Sequence, residues 1–381
     1  MKYKIAYCIP AIYTPSGMER SLTIKANYFV DVLGYDVTIV LTDGAGREPA
    51  FKLSDKVKII NLNINYDKIW SYPIYLKIFV YMIKQVLYRS RLSAALNKIK
   101  PDITISLLRR EINFLTKIKD GSVKIGEMHF NRLNYRDFNT KGERSGVKSF
   151  LAKLWMRQLI SNLKKLDKFV VLSNEDNLKW TELDNTAVIY NPIETIPVNI
   201  SDCSAKKVIS AGRFAHQKGF DMLIDAWKIV TEKHPDWTLT IYGPGSKETF
   251  NNQIYKNGLS SNCFLEETVL NLNEKFAESS IFAFSSRFEG FGMVITEAMA
   301  CGIPPVAFAC PCGPRDIITD GKDGLLAEPE NIRDLALKIV RLIDDEQLRK
   351  SMGANAITKS ERFRMDVIAK EWAALFNELI N

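Results

Sequence analysis

The sequence predicts an α/β protein built from two doubly wound parallel sheets in separate domains. Short apolar runs of strand length alternate with helical patterns along the 381 residues, as expected for parallel strands joined by crossover helices. The alternation occurs in two series, and residues 191–203 between them contain two prolines and no clear periodicity. A chain of this length also exceeds what one hydrophobic core usually spans. We therefore expect one domain over residues 1–195 and a second over residues 196–362.

The first series begins with a strand at residues 4–9 and a helix at 18–33, which Gly34 ends. Further strand candidates lie at 36–41, 57–62, 102–107, 123–126 and 169–172, with helices at 72–97 and 147–163. In the second series, strands are predicted at 208–211, 239–242, 281–284 and 305–308, and helices at 220–233, 294–299, 332–343 and 365–379. Ligands of doubly wound sheets bind beyond the carboxyl ends of the strands, so the loops after these strands are the candidate sites.

The net charge of +8 is unevenly distributed, because the first 200 residues are strongly basic and the remainder is slightly acidic. Such a field favours anionic partners such as a membrane surface or a phosphorylated acceptor, although a plain basic domain is equally consistent with it. The N-terminus enters an apolar strand without the pattern of a signal peptide, and the six cysteines suggest no disulfide or zinc set. We expect a cytoplasmic protein with free thiols.

Two loops of the second series have glycines and cations suited to phosphate. Gly212, Arg213 and Lys218 follow a predicted strand and precede a helix, where a guanidinium, an ammonium and helix amides can converge on one anion. Gly243 follows the next strand and would let the backbone approach a ligand closely. Each loop alone is equally consistent with an ordinary exposed turn.

Residues 285–302 (SSRFEGFGMVITEAMACG) carry the strongest signal. A strand ends near Phe284, and Gly290 and Gly292 suit a bend just before a helix. This pattern places Glu289 in the loop and Glu297 one to two turns inside the helix. Carboxylates bind hydroxyl groups through charge-assisted hydrogen bonds, and the amides at the helix start favour an anion. An amphipathic helix with a surface glutamate is the alternative interpretation.

Taken together, these loops resemble those of the retaining family 4 glycosyltransferases, which have the GT-B fold. The resemblance rests on Gly212-Arg213 with Lys218-Gly219 and on Glu289-x7-Glu297 within SSRFEGFGMVITEAMACGIPPVA. Residues 313–318 and 323–326 and the pair Asn191-Pro192 fit the same family. In the first series, residues 16–20 are similar to the family's Gly-Gly-x-Glu-Arg loop, with Ser16 in place of a glycine. The resemblance is looser over residues 45–165.

The resemblance implies two Rossmann-like domains facing a central cleft, the first binding the acceptor and the second the nucleotide-sugar donor. It also implies that a C-terminal helix, residues 363–381, packs back on the first domain. The catalytic groups would be His129, Arg213, Lys218 and Glu289. Donor contacts would come from Gly17, Gly212, Gly243, Gly290, Phe291, Gly292, Met293, Val294 and Glu297. A hydrogen-bonded structural histidine is the alternative role for His129.

Departure of a nucleoside diphosphate leaves negative charge that something positive must meet. The sequence contains no Asp-x-Asp motif to hold a metal, and Arg213, Lys218 and helix amides can supply the charge. We therefore predict metal-independent transfer with no cofactor. The resemblance implies a UDP-sugar as the donor, with guanosine or adenosine as the alternative nucleosides. The resemblance implies retention at the sugar carbon and front-side attack, in surface polysaccharide or lipopolysaccharide biosynthesis.

The acceptor is expected to be a glycan or a lipid-linked molecule bound by the first domain. Residues 69–88 and 141–168 combine aromatic and aliphatic residues with lysines and arginines, a composition suited to an anionic membrane surface. Both segments are equally consistent with core helices. A peripheral position on the inner face of the cytoplasmic membrane is the corresponding hypothesis.

Other functions fit the sequence less well. An oxidoreductase with these sheets would need G-x-G-x-x-G after its first strand, and only Ser16-Gly17 is present there. A phosphorylase of the same fold would need a pyridoxal-binding lysine context, and nucleic-acid binding has no recognisable motif here. A non-catalytic sugar-nucleotide-binding subunit remains the main alternative.

Overall fold

The computed structural model describes residues 2–71, 73–133, 146–194, 197–269 and 271–380. The chain forms two compact units. The first comprises Met1–Leu172, Asp176–Pro192 and Ile368–Asn381, and the second Ser173–Glu175 and Ile193–Val367. Residues 195 and 196, where the sequence predicts the domain boundary, lie outside the described residues.

The first unit contains a parallel sheet of seven strands. In chain order they are β1 (Lys4–Ile9), β2 (Asp36–Leu41), β3 (Lys58–Asn61), β4 (Ile103–Ser106), β5 (Val123–Glu127), β6 (Lys168–Val171) and β7 (Thr186–Val188). Their spatial order is β3-β2-β1-β4-β5-β6-β7. Every residue of β4 is buried, as is typical of a parallel strand covered on both faces.

The first unit contains the helices α1 (Gly17–Asp31), α2 (Ile74–Ile99) and α3 (Gly146–Leu163), and the residues of the short helix α4 (Asn174–Asn177) are divided between the two units. Leu92 and Leu96 of α2 pack with Cys8 of β1 in one apolar cluster. Leu163 of α3 packs with Phe169 of β6 in another. These helices thereby hold the sheet rigid, so that the loops after β1, β4 and β5 project from a fixed edge.

In the second unit, the described residues form a parallel sheet of six strands, together with seven helices. Its strands are β8 (Lys207–Ala211), β9 (Thr238–Tyr242), β10 (Cys263–Glu266), β11 (Ile281–Phe284), β12 (Pro305–Phe308) and β13 (Leu325–Ala327). Its helices are α5 (Phe220–Lys233), α6 (Glu248–Lys256), α7 (Leu272–Ala277), α8 (Met293–Ala300), α9 (Pro314–Ile317), α10 (Ile332–Asp344) and α11 (Glu346–Ser360). The strand order β10-β9-β8-β11-β12-β13 reverses direction at β8. The crevice at the carboxyl ends of β8 and β11 is therefore the expected ligand position.

The last helix, α12 (Met365–Ile380), begins in the second unit and belongs to the first from Ile368 onward. The Tyr3 hydroxyl donates a hydrogen bond to Asn377, and the Phe376 ring lies edge-on to the Tyr3 ring with 5.9 Å between centroids. Trp372 is buried. The final helix is therefore part of the core of the first unit.

The predicted α/β class with two doubly wound parallel sheets is confirmed. The structure adds β7, β10 and β13, which the sequence pattern does not predict, and the helices α4, α6, α7, α9 and α11. These strands are three or four residues long, and β10 alternates between buried and exposed residues, so their apolar signal is short. The predicted helix at 72–97 corresponds to α2, although residue 72 lies outside the described residues.

Candidate functional site

Two of the predicted site residues form an ion pair at the carboxyl edge of the second sheet. Lys218 Nζ lies 2.7 Å from Glu289 Oε1, and their side chains are only 18% and 9% exposed. The buried Ser286 hydroxyl donates a hydrogen bond of 2.7 Å to the same oxygen. One carboxylate oxygen of Glu289, in the loop after β11, thus contacts both Lys218 in the loop after β8 and Ser286 in its own loop.

Glycines permit these loops to approach so closely. A Cβ on Gly219 would lie 2.1 Å from the Ser285 carbonyl oxygen, and a Cβ on Gly243 would lie 1.8 Å from the Gly212 carbonyl oxygen. Neither backbone contact leaves room for a side chain. Gly243 therefore has a packing role between the ends of β8 and β9, whatever it contributes to a ligand.

The loop after β11 leads directly into helix α8. Gly292 is the residue before the helix and has a φ of +99°, a conformation that favours glycine. Phe291 is buried, and its ring centroid lies 5.7 Å from that of Phe363, so this contact anchors the loop to the unit. The bend is held in place. The Ile295 amide donates to the Gly292 carbonyl oxygen, whereas the amides of the first two helical residues, Met293 and Val294, precede the first hydrogen bond of the helix.

Helix α8 presents its first residues to solvent and buries the rest. Met293 and Val294 are partly exposed, whereas Glu297, in the second turn, is only 6% exposed. Gly290 is also partly exposed. Accessible amides at a helix N-terminus, next to Lys218 and Glu289, form a site that can bind an anion and hydroxyl groups together.

Two of the predicted site residues, His129 and Gly17, belong to the first unit. His129, in the loop after β5, has a side chain only 3% exposed, and its Nε2 lies 2.9 Å from Glu127 Oε1. Burial lowers the pKa of His129, and the neighbouring Glu127 opposes this effect only in part. The imidazole is therefore neutral at physiological pH. Gly17 is exposed and is the first residue of α1, preceded by Ser16 in ordinary extended conformation.

Comparison with known proteins identifies relatives of this chain. Residues 194–359 match the family described as glycosyl transferases group 1. The chain is 27% identical over 388 residues to an uncharacterized glycosyltransferase of Haemophilus influenzae, with 98% of this chain and 99% of that protein aligned. The chain is a glycosyltransferase.

Other relatives of this glycosyltransferase match over a shorter region or in fold alone. It is 30% identical over 228 residues to the poly(ribitol-phosphate) alpha-N-acetylglucosaminyltransferase of Staphylococcus aureus, with 58% of this chain and 46% of that protein aligned. It is also similar to the crystal structure of Anabaena HepE in complex with UDP and glucose, at a TM-score of 0.73 and 18% identity over 99% of this chain and 100% of that one. The predicted GT-B architecture of two Rossmann-like units is confirmed.

Arg213 is arranged differently from Lys218, the other cation predicted in the loop after β8. Its side chain is exposed and makes no ion pair with any residue that the structure describes. Lys218 in contrast is held against Glu289. The structure thus brings Lys218 and Glu289 together and leaves Arg213 at the surface of the same loop.

A second arginine of the glycosyltransferase supports the loop and was missed by sequence reasoning. Arg287 makes two hydrogen bonds to the Asp221 carboxylate, of 2.9 and 2.6 Å, and a third of 2.7 Å to the His216 carbonyl. Burial raises the pKa of Asp221, but Arg287 outweighs this and holds the pKa below its ordinary value. The signal available in the sequence was Asp221, a charged residue in the first turn of a predicted helix that follows a predicted phosphate-binding loop.

Proposed function

We propose that this glycosyltransferase moves a hexosyl or N-acetylhexosaminyl group from a UDP-sugar to a glycan or lipid-linked acceptor in surface polysaccharide or lipopolysaccharide biosynthesis. The observation that carries the proposal is the Lys218–Glu289 ion pair beside the start of helix α8. UDP and glucose in the similar HepE structure support the donor, and the similar Staphylococcus enzyme supports a surface polymer. The second unit binds the donor, and the first binds the acceptor.

The ion pair supplies both kinds of group that a nucleotide sugar requires. A bound diphosphate competes with Glu289 for Lys218, and the carboxylate is then available to accept hydrogen bonds from the hydroxyls of the transferred sugar. Charge that develops on the leaving phosphate is met by Lys218, by Arg213 and by the amides at the start of α8. Glu297 binds the ribose of the nucleotide.

The remaining roles rest on the family resemblance. Gly212, Gly243, Gly290, Phe291, Gly292, Met293 and Val294 present backbone to the donor. Gly17 contacts the donor phosphates, and His129 lies near the reacting sugar carbon. Transfer proceeds with retention by front-side attack, and the leaving phosphate helps to accept the acceptor's proton. Glu289 acts as a hydrogen-bond acceptor for the sugar and not as a covalent nucleophile.

Transfer is proposed to be independent of a metal ion. The sequence has no Asp-x-Asp motif, and the charge that a divalent ion would supply is available from Lys218 and Arg213. Helix amides and fixed cations in a partly buried site stabilise developing negative charge without reorganising during the reaction. Activity that persists in excess EDTA is the expected result.

Helix α2 offers a surface for a membrane-bound acceptor. Tyr75, Ile78, Phe79, Met82 and Val86 are between 60% and 73% exposed and recur at helical spacing along one face. Arg89 and Arg91 at the end of this stretch are also exposed. None of the described helices is long and apolar enough to cross a bilayer. We assign this face to peripheral binding of an anionic membrane on its cytoplasmic side. Residues 141–145 of the second basic segment lie outside the described residues.

A panel of nucleotide sugars tests the proposal. The purified protein is incubated with each donor and excess EDTA, and release of nucleoside diphosphate is followed. Release from a single UDP-sugar is expected, and the anomeric configuration of the product, measured by NMR, reports retention or inversion. Release that requires an added divalent ion contradicts metal independence, and binding of no nucleoside diphosphate by calorimetry contradicts the assigned donor site.

A further inference from the structure

The turn after β4 carries two arginines at the carboxyl edge of the first sheet. Leu108 has a φ of +50°, in the left-handed region that leucine rarely adopts. The buried Glu111 carboxylate holds this turn, because its Oε1 accepts hydrogen bonds from the Ser106 hydroxyl (2.7 Å) and the Arg109 amide (3.1 Å). Strained backbone and a buried carboxylate both cost free energy, and strained residues concentrate at binding and catalytic sites. The turn thus fixes the backbone from which Arg109 and Arg110 extend.

The Arg110 guanidinium lies against an aromatic ring. Its Cζ is 4.2 Å from the centre of the Tyr66 ring, in the loop after β3, and Tyr66 is only 1% exposed. The Asp43 carboxylate, in the loop after β2, lies 3.9 Å from Nη1, which is beyond hydrogen-bond distance. The guanidinium makes no hydrogen bond with any residue that the structure describes. Stacking therefore orients a fork of N–H donors that remains accessible, since 27% of the side chain is exposed.

Arg132, in the same unit, shows the opposite arrangement. Its Cζ lies 4.8 Å from the centre of the Trp180 ring, so this guanidinium is also stacked. Its two terminal nitrogens, however, lie 2.6 and 2.7 Å from the two carboxylate oxygens of Glu182. The fork of Arg132 is therefore occupied by a carboxylate of the chain. The fork of Arg110 is arranged in the same way but is left for an oxyanion from elsewhere.

A second cation lies beside the Tyr66 ring. Lys84 of α2 has its Nζ 5.9 Å from the ring centre. The ammonium donates hydrogen bonds to the carbonyl oxygens of Ile64 and Asn65, and one of its three N–H groups is left for another acceptor. The buried Tyr66 hydroxyl has no hydrogen-bond partner among the described residues. Buried polar groups are ordinarily paired, so this hydroxyl is an independent indication of a polar ligand at the cluster.

The charges of the cluster favour an anionic ligand. Arg110 and Lys84 carry two positive charges against the one negative charge of Asp43, and the exposed Asp67 and Lys68 cancel each other. Burial lowers the pKa of Lys84, and repulsion from Arg110 adds to this effect, so a bound anion stabilises the cluster. Phosphate offers several oxygens that a guanidinium and an ammonium can bind together. A neutral sugar would make no use of this charge.

Helix α2 connects the cluster with the exposed apolar face assigned above to the membrane. Lys84 lies within one turn of Met82 and Val86, which are 63% and 73% exposed. We propose that Arg110 and Lys84 bind a phosphate group of the acceptor, which is a lipid phosphate drawn from the membrane surface. The apolar part of this molecule stays with the membrane beside α2. The inference rests on the proposed function in one respect, which is that the first unit binds the acceptor.

Vesicle binding tests the inference without any transfer reaction. The protein is co-sedimented with phosphatidylcholine vesicles that contain either a polyprenyl monophosphate or phosphatidylglycerol, at fractions adjusted to the same surface potential. Equal potential removes the general attraction of a basic domain, so a difference reports recognition of the phosphate itself. The wild type is expected to bind the polyprenyl monophosphate vesicles at least about tenfold more tightly, because a terminal phosphate offers its oxygens to the guanidinium fork. Equal affinity for the two vesicles overturns the inference.

Arg110→Met keeps an apolar stem on the Tyr66 ring and is expected to abolish the preference for the monophosphate. Arg132→Met is the matched control, because it removes the same charge from a stacked arginine that is already paired with Glu182, and it is expected to retain the preference. If Arg110→Met does not fold, Arg110→Lys decides the question. It keeps the charge without the fork, and the preference is expected to fall about threefold or more. A preference that survives the loss of Arg110 overturns the inference.

A soluble phosphate separates the two sources that a phosphate group can have. Glycerol 3-phosphate is titrated into the protein by calorimetry, and its affinity is expected to be far below that for the lipid phosphate. Binding of glycerol 3-phosphate that depends on Arg110, together with equal affinity for both vesicles, would overturn the lipid as the source. Absence of nucleoside diphosphate release from every donor, with the vesicle preference intact, would count against the proposed function and would leave this phosphate site standing.

Discussion

Lys218 and Glu289 are 71 residues apart in the sequence and meet with 2.7 Å between Nζ and Oε1. Each therefore satisfies the charge of the other before any ligand arrives. In the proposed function, a donor that binds here exchanges one partly buried anion on Lys218, the carboxylate, for another, the diphosphate. The positive charge that would meet the diphosphate is thus already held in place in the free protein.

Replacement of Lys218 tests this exchange. Lys218→Met is expected to lower kcat by about 10²–10³, because a positive group facing the leaving phosphate is lost from a partly buried site. The measurement is the rate of nucleoside diphosphate release at saturating donor. Lys228→Met, on the exposed face of α5, removes the same charge and is expected to leave kcat unchanged. Equal rates for the two variants would remove Lys218 from the reaction.

Gly243→Ala tests the close contact between two loops. Its Cβ would lie 1.8 Å from the Gly212 carbonyl oxygen, so the loops must separate, and we expect a loss of about 1–3 kcal/mol in the free energy of unfolding. Urea unfolding measures the loss. Gly258→Ala is the comparison, because a Cβ at this position would meet nothing within 4 Å. Its only cost is the left-handed backbone conformation, which we expect to lower the free energy of unfolding by about 1–2 kcal/mol. Wild-type stability of Gly243→Ala would show that the contact relaxes freely.

Arg287→Lys tests the support of the loop after β11. Lysine cannot reproduce the two parallel hydrogen bonds from Arg287 to Asp221. We expect the free energy of unfolding to fall by about 1 kcal/mol or less, because the Asp221 carboxylate is partly exposed. The pKa of Asp221 is lowered in the folded state, so its contribution is fully present at neutral pH and is lost as the pH falls from the ordinary range of an aspartate through that lowered value. Urea unfolding at pH 7 and pH 5 should therefore give the same difference. A difference that vanishes by pH 5 would contradict the assigned pair.

The exposed face of α2 is tested by substitution at two of its exposed apolar positions. Phe79→Ser/Val86→Ser is expected to reduce co-sedimentation with vesicles of phosphatidylglycerol and phosphatidylethanolamine at least tenfold, because buried apolar area drives interfacial binding. Leu178→Ser is the matched control, because Leu178 is also an exposed apolar residue (77%) but lies outside α2. This variant should bind the vesicles as the wild type does. Equal binding by all three proteins would exclude α2 as the membrane-binding face.

The local features of the proposed donor site follow from the sequence, whereas the contacts between its loops do not. The strand that ends at Phe284 and the helix that begins at Met293 were predicted within a residue or two, because apolar periodicity and Gly290 and Gly292 mark both ends. That Glu289 contacts Lys218 depends on which strands are neighbours. No pattern within a single loop contains this information.

Buried charges were the least predictable feature. Lys25 lies in an amphipathic helix, where a lysine is ordinarily solvated, and Glu127 ends a strand, yet each is only 1% exposed. Their burial depends on the aromatic residues that surround them, and Trp372 lies almost 350 positions further along the chain. The sequence identified His129 as a candidate but gave no indication of the ion pair that Lys25 and Glu127 form beside it.

Helix α12 imposes an order on biosynthesis. The core of the first unit includes Trp372 and Phe376, although nearly all of its other residues precede position 193. During translation, the N-terminal sheet therefore leaves the ribosome with the surface around Tyr3 and Lys25 uncovered, while the second unit is still being made. The nascent chain must retain this incomplete intermediate until α12 has been synthesised, and premature termination before that helix would release a polypeptide with an exposed aromatic surface.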